Sequence, residues 1–102
     1  LGEFDPIDEL SVIAREEKLW LHVDGAWGGS VLLSRKHRPL MKGIETADSL
    51  GWDTHKMLGT GLVSSFFLTP HSNAFVHLTV AVALIIGRGE PLKQVRQVVA
   101  VL

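Results

Sequence analysis

The most informative absences in this sequence of 102 residues are those of cysteine, of net charge and of long apolar runs. The lack of cysteine excludes disulfide frameworks, thiolate metal sites and cysteine nucleophiles from this stretch of chain, and it fits a cytoplasmic location. The formal net charge of -1 predicts no nucleic-acid partner. The longest apolar run, residues 78–86, is shorter than the roughly 20 residues of a membrane-spanning helix. With no signal peptide evident either, we expect no membrane partner.

The pattern of apolar residues indicates an α/β fold. Residues 7–14 carry the apolar side chains Ile7, Leu10, Ile13 and Ala14 at helical spacing, and the preceding Asp5-Pro6 pair suits a helix start, with Pro6 at the first helical position. Residues 19–23 follow almost at once as a short apolar strand, and residues 47–52 and 62–68 predict two further strands. A helix followed directly by a nearly continuous apolar strand is typical of a buried α/β unit.

The chain changes character after Pro70. Residues 79–86 are rich in β-branched residues, which favours a strand, yet residues 74–86 could also form a helix, and periodicity does not decide between the two. Residues 90–102 carry apolar side chains at helical spacing, with Pro91 near the start, which predicts a short helix.

Two strand ends carry residues that are candidates for chemistry. Asp24 ends the first predicted strand, and His55 and Lys56 follow the second. In open α/β sheets, ligands bind at the carboxyl ends of the strands. If the two strands are parallel neighbours, Asp24 and Lys56 point into one crevice. Their separation of 56 − 24 = 32 positions is close to the length of one crossover unit, roughly 30 residues.

A lysine and a carboxylate in one crevice are what pyridoxal phosphate (PLP) chemistry requires. The lysine amine forms a Schiff base with the aldehyde of the cofactor. The carboxylate keeps the pyridine nitrogen protonated, so that the charged ring takes up the electrons released at Cα of the substrate. Lysine and aspartate also follow strands as ordinary solvated loop residues, so the spacing alone leaves both interpretations open.

Two segments resemble group II PLP-dependent amino-acid decarboxylases. Residues 19–30 read LWLHVDGAWGGS, where that family reads H-V-D-A-A-W-G-G. Residues 47–58 read ADSLGWDTHKML, where the family reads A-D-S-x-x-W-N-P-H-K-M-L. The motifs stand in the family's order and separation, and the resemblance covers about residues 2–69. The sequence is most similar to the glutamate and cysteine sulfinate decarboxylase branch.

The resemblance implies the large domain of the fold-type I PLP-dependent transferases, a mostly parallel sheet flanked by helices. Residues 1–70 would form part of that domain, and residues 71–102 would be a divergent tail or a frameshifted reading of the gene. The implied activity is decarboxylation of an acidic amino acid by a full-length homodimer. This chain alone would hold about half of a cofactor site and would be inactive.

Roles for individual residues also follow from the resemblance. Lys56 would bind the PLP aldehyde, and Asp24 would pair with the pyridine nitrogen. Ala26 would lie against one face of the ring. His55 would help to hold the phosphate, unless its side chain faces away from Lys56. His22, inside a strand, is expected to be a packed histidine rather than a ligand.

Three departures from the family pattern stand out. Gly25 replaces an alanine, which loosens the loop. Asp53-Thr54 replaces Asn-Pro, which removes a proline constraint on the backbone and adds a carboxylate near Lys56. The tail lacks the family's Gly-rich stretch. Another fold-type I enzyme, such as an aminotransferase, or a non-catalytic truncated product therefore stays an alternative. The histidines lack the paired helical spacing of a zinc site, so we predict no metal.

Overall fold

The computed structural model describes residues 2–61, 63–72 and 97–101 of the chain. Helix α1 (Ile7–Glu16) is followed by strands β1 (Trp20–Asp24) and β2 (Ser49–Asp53). Strands β3 (Ser65–Leu68) and β4 (Gln97–Val101) complete the sheet in this part of the chain. Three short 3-10 turns lie between β1 and β2, at Gly28–Leu33, Arg38–Met41 and Ile44–Thr46.

The four described strands form one mixed sheet in the order β3-β2-β1-β4. Strand β1 runs parallel to both β2 and β4, whereas β2 pairs antiparallel with β3. His22 lies opposite Ser49 and Asp24 lies opposite Gly51. The two strands that carry the sequence motifs are therefore parallel neighbours. This pairing meets the condition under which Asp24 and Lys56 share one edge of the sheet.

The core lies between α1 and one face of the sheet. Leu21 and Val23, at alternate positions of β1, are fully buried together with Ile7 and Ala14 of α1. Removing a side chain of this size from water contributes about 1.5–3 kcal/mol to stability. The burial of these apolar side chains, at alternate positions of β1 and on one face of α1, is thus the main contribution that holds α1 on the sheet.

Helix α1 is rotated slightly from the predicted apolar face. Ile13, expected to face inwards, is 51% exposed, and Ser11 is buried in its place. The Ser11 hydroxyl donates to the Asp8 carbonyl oxygen at 2.8 Å, which allows this polar side chain to be buried without losing a hydrogen bond. The helix also begins one residue later than predicted, with Pro6 at the N-cap and no side-chain cap hydrogen bond.

The predicted C-terminal helix is wrong over the described residues 97–101, which form strand β4. Three of these five residues are valines, and β-branched side chains favour strands. Pairing with β1 along its whole length also gives the backbone of β1 hydrogen-bond partners on both sides. The rest of that prediction, and the strand-or-helix alternative for residues 74–86, lie outside the described residues.

The close packing of the third 3-10 turn on α1 gives a testable prediction. Gly43 has a φ of 94°, and a Cβ there would lie 2.6 Å from the Asp8 backbone nitrogen. Gly43→Ala is therefore expected to lower the free energy of unfolding by about 2 kcal/mol or more, measured by urea denaturation.

Gly59→Ala is the matched control for this substitution. Gly59 also has a positive φ, of 70°, but a Cβ there would meet nothing within 4 Å. This variant carries the conformational cost alone, about 1 kcal/mol. Equal losses of stability in the two variants would show that the contact between Gly43 and α1 is not close.

Candidate functional site

The predicted site residues lie at the edge of the sheet that is formed by the carboxyl ends of the parallel strands β1 and β2. Asp24 is the last residue of β1, and Lys56 follows the end of β2 by three positions. The Gly25 N–H donates to the Gly51 carbonyl oxygen at 2.8 Å, one step beyond the last residue of β1. The two strand ends are therefore held side by side where ligands bind in open α/β sheets.

Asp24 is half-buried, and its carboxylate is oriented by the turn that follows β1. The Ala26 N–H donates to Asp24 Oδ1 at 3.1 Å. This local hydrogen bond occupies one carboxylate oxygen and holds the side chain at the edge of the sheet. Oδ2 has no donor among the described residues, so this atom is the one that can receive a ligand.

The backbone between Asp24 and Ala26 approaches β2 closely. A Cβ on Gly25 would lie 2.7 Å from Leu50 Cδ1 and 3.1 Å from the Gly51 carbonyl oxygen. The alanine of the family pattern would require the Leu50 side chain to move. The glycine therefore allows a close contact between the β1 turn and β2, which differs from the loosening expected from the sequence.

Lys56 is held by a carboxylate of its own segment. Its Nζ lies 2.9 Å from Asp53 Oδ2, and the two side chains are 31% and 21% exposed. The Lys56 N–H also donates to the Asp53 carbonyl oxygen at 3.2 Å, which closes the turn between them. Among the described residues, no ion pair joins Lys56 to Asp24.

Asp53 is fixed in turn by β3. The two residues Asp53 and Ser65 are opposite each other in the antiparallel pair. A hydrogen bond from the Ser65 side chain lowers the pKa of Asp53 below its ordinary value of 3.8, and the hydrogen bond from Lys56 lowers this pKa further. The charged carboxylate is therefore the form that this arrangement favours.

Thr54 ties the end of β2 to the start of β3. It is buried, and its N–H donates to the Ser64 carbonyl oxygen at 3.1 Å. Its hydroxyl also bonds to the hydroxyls of Ser64 and Thr60. A proline at this position has no N–H to donate. The expectation that losing proline frees the backbone beside Lys56 is therefore wrong, because threonine adds hydrogen bonds that hold it.

His55 faces the same loop. Its Nδ1 lies 3.0 Å from the Ser64 carbonyl oxygen and 3.3 Å from the Ser64 backbone nitrogen. In one tautomer the ring donates to the carbonyl, and in the other it accepts from the N–H. Either contact fixes the ring and leaves Nε2 for a further partner.

The sequence analysis did not identify Ser64 and Ser65 as residues of the site. The only sequence signal for them was that a third predicted strand follows the His-Lys motif.

The remaining polar residues of the motifs have packing roles. His22 bonds through Nδ1 to Ser49 Oγ at 2.8 Å and stacks on Phe67, with ring centroids 5.8 Å apart, which agrees with its prediction as a packed histidine. Trp52 donates from Nε1 to Ser30 Oγ at 3.0 Å. These contacts brace the sheet and its first 3-10 turn.

Trp27 lines a shallow apolar cavity beside this edge. Trp27 is 59% exposed, and the cavity has a volume of about 360 Å³. None of the predicted site residues lines it. Its lining consists of Gly2, Glu3, Phe4, Trp27, Gly28 and Met57.

Over residues 2–61, 63–72 and 97–101, no group of three or more His, Asp or Glu side chains is placed to bind a metal ion. None of the helices in these ranges has the length and apolar character needed to cross a bilayer.

Comparison with known proteins agrees with this geometry. The family model described as the pyridoxal-dependent decarboxylase conserved domain matches residues 1–85. The chain belongs to this family. Membership confirms the resemblance drawn from the two motifs, and the mostly parallel sheet confirms the expected α/β fold.

Individual relatives carry the same motifs at high identity. The chain is 56% identical over 68 residues to the acidic amino acid decarboxylase GADL1 of Bos taurus, which covers 67% of this chain and 13% of that protein. It is also 56% identical over 68 residues to cysteine sulfinic acid decarboxylase of Rattus norvegicus, which covers 67% of this chain and 14% of that protein. The chain thus spans about one seventh of the length of these relatives.

Solved structures give the same family. The crystal structure of mouse CSAD matches with a TM-score of 0.70 and 50% identity, and covers 72% of this chain and 16% of that one. A second match is the glutamate decarboxylase domain of diaminobutyrate-pyruvate transaminase and L-2,4-diaminobutyrate decarboxylase from Vibrio parahaemolyticus. It has a TM-score of 0.68 and 30% identity, and covers 79% of this chain and 19% of that one.

The lowered pKa of Asp53 gives a prediction. Because the folded-state pKa is below the unfolded value, the charged carboxylate stabilises the fold above the ordinary value of 3.8, and this contribution is lost as the pH falls through the lowered pKa. Ser65→Ala removes the largest cause, so the titration midpoint of Asp53 should rise towards 3.8 in carboxyl NMR.

Ser34→Ala, which removes a hydroxyl from a different hydrogen-bonded turn, is the control and should leave this midpoint unchanged. A midpoint that stays put in Ser65→Ala would show that β3 does not stabilise the Asp53 carboxylate.

Proposed function

We propose that the full-length protein decarboxylates an acidic amino acid with PLP, and that this chain supplies part of the cofactor site. One arrangement carries the proposal: Asp24 and the Lys56 segment stand at adjoining carboxyl ends of two parallel strands. The printed names of the relatives, acidic amino acid decarboxylase and cysteine sulfinic acid decarboxylase, support an acidic substrate.

The chain's residues fit the cofactor. Asp24 Oδ2 is free to accept a hydrogen bond from a protonated pyridine nitrogen, while Oδ1 is held by Ala26. The half-buried position of Asp24 strengthens such a charge-assisted bond relative to one in open water. Lys56 is partly exposed and paired only with Asp53 among the described residues, so its amine is within reach of an aldehyde. His55 has Nε2 left for a phosphate oxygen.

When bound, PLP supplies an electron sink for the electron pair that remains on Cα after the carboxylate leaves as carbon dioxide. Asp24 would hold a proton on the pyridine nitrogen, which makes this sink effective. Lys56 would hold the aldehyde end of the cofactor through its amine. Ala26 would leave room for the ring face, and His55 would orient the phosphate.

Decarboxylation is favoured over transamination by family membership and by the Trp27-Gly28-Gly29 run, which the aminotransferase alternative does not share. Because the chain covers about one seventh of its relatives, other parts of the full-length protein complete the site in this proposal. The homodimer, the cytoplasmic location and the tail boundary near residue 70 stay predictions from the resemblance.

Translating the DNA beyond the codon of Thr69 in all frames tests whether the tail is a frameshifted reading of the gene.

Borohydride reduction of the purified chain with PLP, followed by peptide mass mapping, tests the site. We expect label at Lys56 in preference to Lys18, Lys36, Lys42 and Lys93. Of the lysines that the structure describes, Lys56 alone follows the strand end beside Asp24. Lys56→Ala should abolish the preferred label. Asp24→Asn should reduce the yield of label at Lys56 by about tenfold at limiting PLP, because a charged partner of the ring is lost.

Label spread evenly over the five lysines of the chain, unchanged in Lys56→Ala, would contradict the proposal. In the full-length protein, release of carbon dioxide from glutamate, aspartate or cysteine sulfinate would establish decarboxylation. Formation of a keto acid without carbon dioxide would establish the aminotransferase alternative instead.

A further inference from the structure

We propose that Asp53 restrains Lys56, so that the ion pair between them must open before the Lys56 amine can condense with an aldehyde. The proposal rests on the function proposed above for Lys56. Asp53 is a positioning residue in this scheme, because it acts only through the lysine.

The ion pair is built into the fold rather than formed by two free surface chains. Asp53 is the last residue of β2 and is fixed by pairing with Ser65 of β3. Lys56 Nζ lies 2.9 Å from Asp53 Oδ2, and the backbone hydrogen bond between the two residues keeps the turn closed. Both side chains are less than one-third exposed, so solvent screens the pair only in part.

Condensation requires the lone pair of a neutral amine. The ammonium group of lysine first loses one proton, and the amine then attacks the aldehyde carbon and expels one water as the C=N bond forms. Asp53 is a poor acceptor for that proton, because hydrogen bonds from Ser65 and Lys56 hold the pKa of Asp53 low. The proton therefore leaves to water, and the ion pair has to separate first.

Titratable groups of the described residues also stand with Lys56 at this edge of the sheet. Asp53 contacts it directly, His55 is its neighbour in sequence and interacts electrostatically with Asp53, and Asp24 ends β1. In the family pattern an uncharged asparagine stands at position 53. The restraint is therefore a property of this chain rather than of the shared motif.

Reductive methylation with formaldehyde and cyanoborohydride, followed lysine by lysine by mass spectrometry, tests the restraint. Formaldehyde is uncharged and needs no cofactor site, so the result is independent of PLP binding. Asp53→Asn keeps the shape and removes the charge, and should speed methylation of Lys56 about twofold to fivefold relative to Lys18. Asp53→Glu should change this rate less than twofold.

Ionic strength gives a readout that a purely structural role does not move. In the unmodified chain, raising sodium chloride to about 1 M should speed methylation of Lys56 relative to Lys18, because salt screens the pair. In Asp53→Asn the same salt should have no effect on that ratio. Ser65→Ala removes a side-chain hydrogen bond to Asp53 but keeps the Asp53 charge and the backbone pairing with β3, so it should not accelerate methylation of Lys56.

The chain contains its own calibration of the method. Asp8 lies 2.7 Å from Lys42 Nζ, and its hydrogen bond raises the pKa of Lys42. Asp8→Asn should therefore speed methylation of Lys42. The restraint is disproved if Asp8→Asn speeds methylation of Lys42 but Asp53→Asn does not speed methylation of Lys56. It is also disproved if Ser65→Ala speeds methylation of Lys56 as much as Asp53→Asn does. Loss of PLP capture with an intact formaldehyde result would instead disprove the proposed function alone.

Discussion

The register between β1 and β2 is the constraint on which the site depends. It is fixed at the amino end of both strands by Asp48, whose Oδ2 accepts the Leu21 N–H at 2.8 Å while its own N–H donates to the Leu21 carbonyl at 2.9 Å. Ser49 then bonds to Trp20 and His22 across the strands. A slip of one residue would break these bonds and turn each side chain to the other face of the sheet.

The same register determines which side chains lie on each face of the sheet. Leu21 and Val23 face α1 and are buried, so His22 and Asp24 lie on the opposite face. Gly51 stands opposite Asp24, and a Cβ there would lie 3.6 Å from His22 Nε2 on this face. The alternation that builds the core thus also presents the carboxylate, and the stability of the core and the geometry of the site have one cause.

The sequence was sufficient for the parts of this structure that depend on local pattern and on the two motifs. Both motif strands were predicted to within two residues of the observed bounds, and Asp24 and Lys56 were predicted at one edge of the sheet. The contacts of Asp53 and Thr54 with Ser65 and Ser64 depend on antiparallel pairing across an intervening loop. No periodicity along the chain encodes such a pairing, because it depends on which strands become neighbours in space.

Two causes explain the remaining misses: the rotation of α1 about its axis, and the overlap of helix and strand periods in short segments. Ile13 fits an apolar helical spacing, but the helix turns by the fraction of a turn needed to bring Ser11 over the sheet. Residues 97–101 fit a helical spacing too, yet the backbone of β1 offers a free edge of five residues that a strand satisfies and a helix does not.

The two departures beside Lys56 act in the same direction. Threonine at position 54 adds an N–H bond and hydroxyl bonds to Ser64, and aspartate at position 53 adds an ion pair to the lysine. Thr54 ties the turn that carries Lys56 to the start of β3 through an N–H that proline lacks. Asp53 holds Lys56 to the end of β2 through a charge that asparagine lacks. A turn held in this way places the lysine more exactly and releases it less readily. In the function proposed above, the chain therefore combines Asp24 and Lys56 with a stiffer turn beside the lysine, which favours exact placement of Lys56 over rapid reaction of its amine.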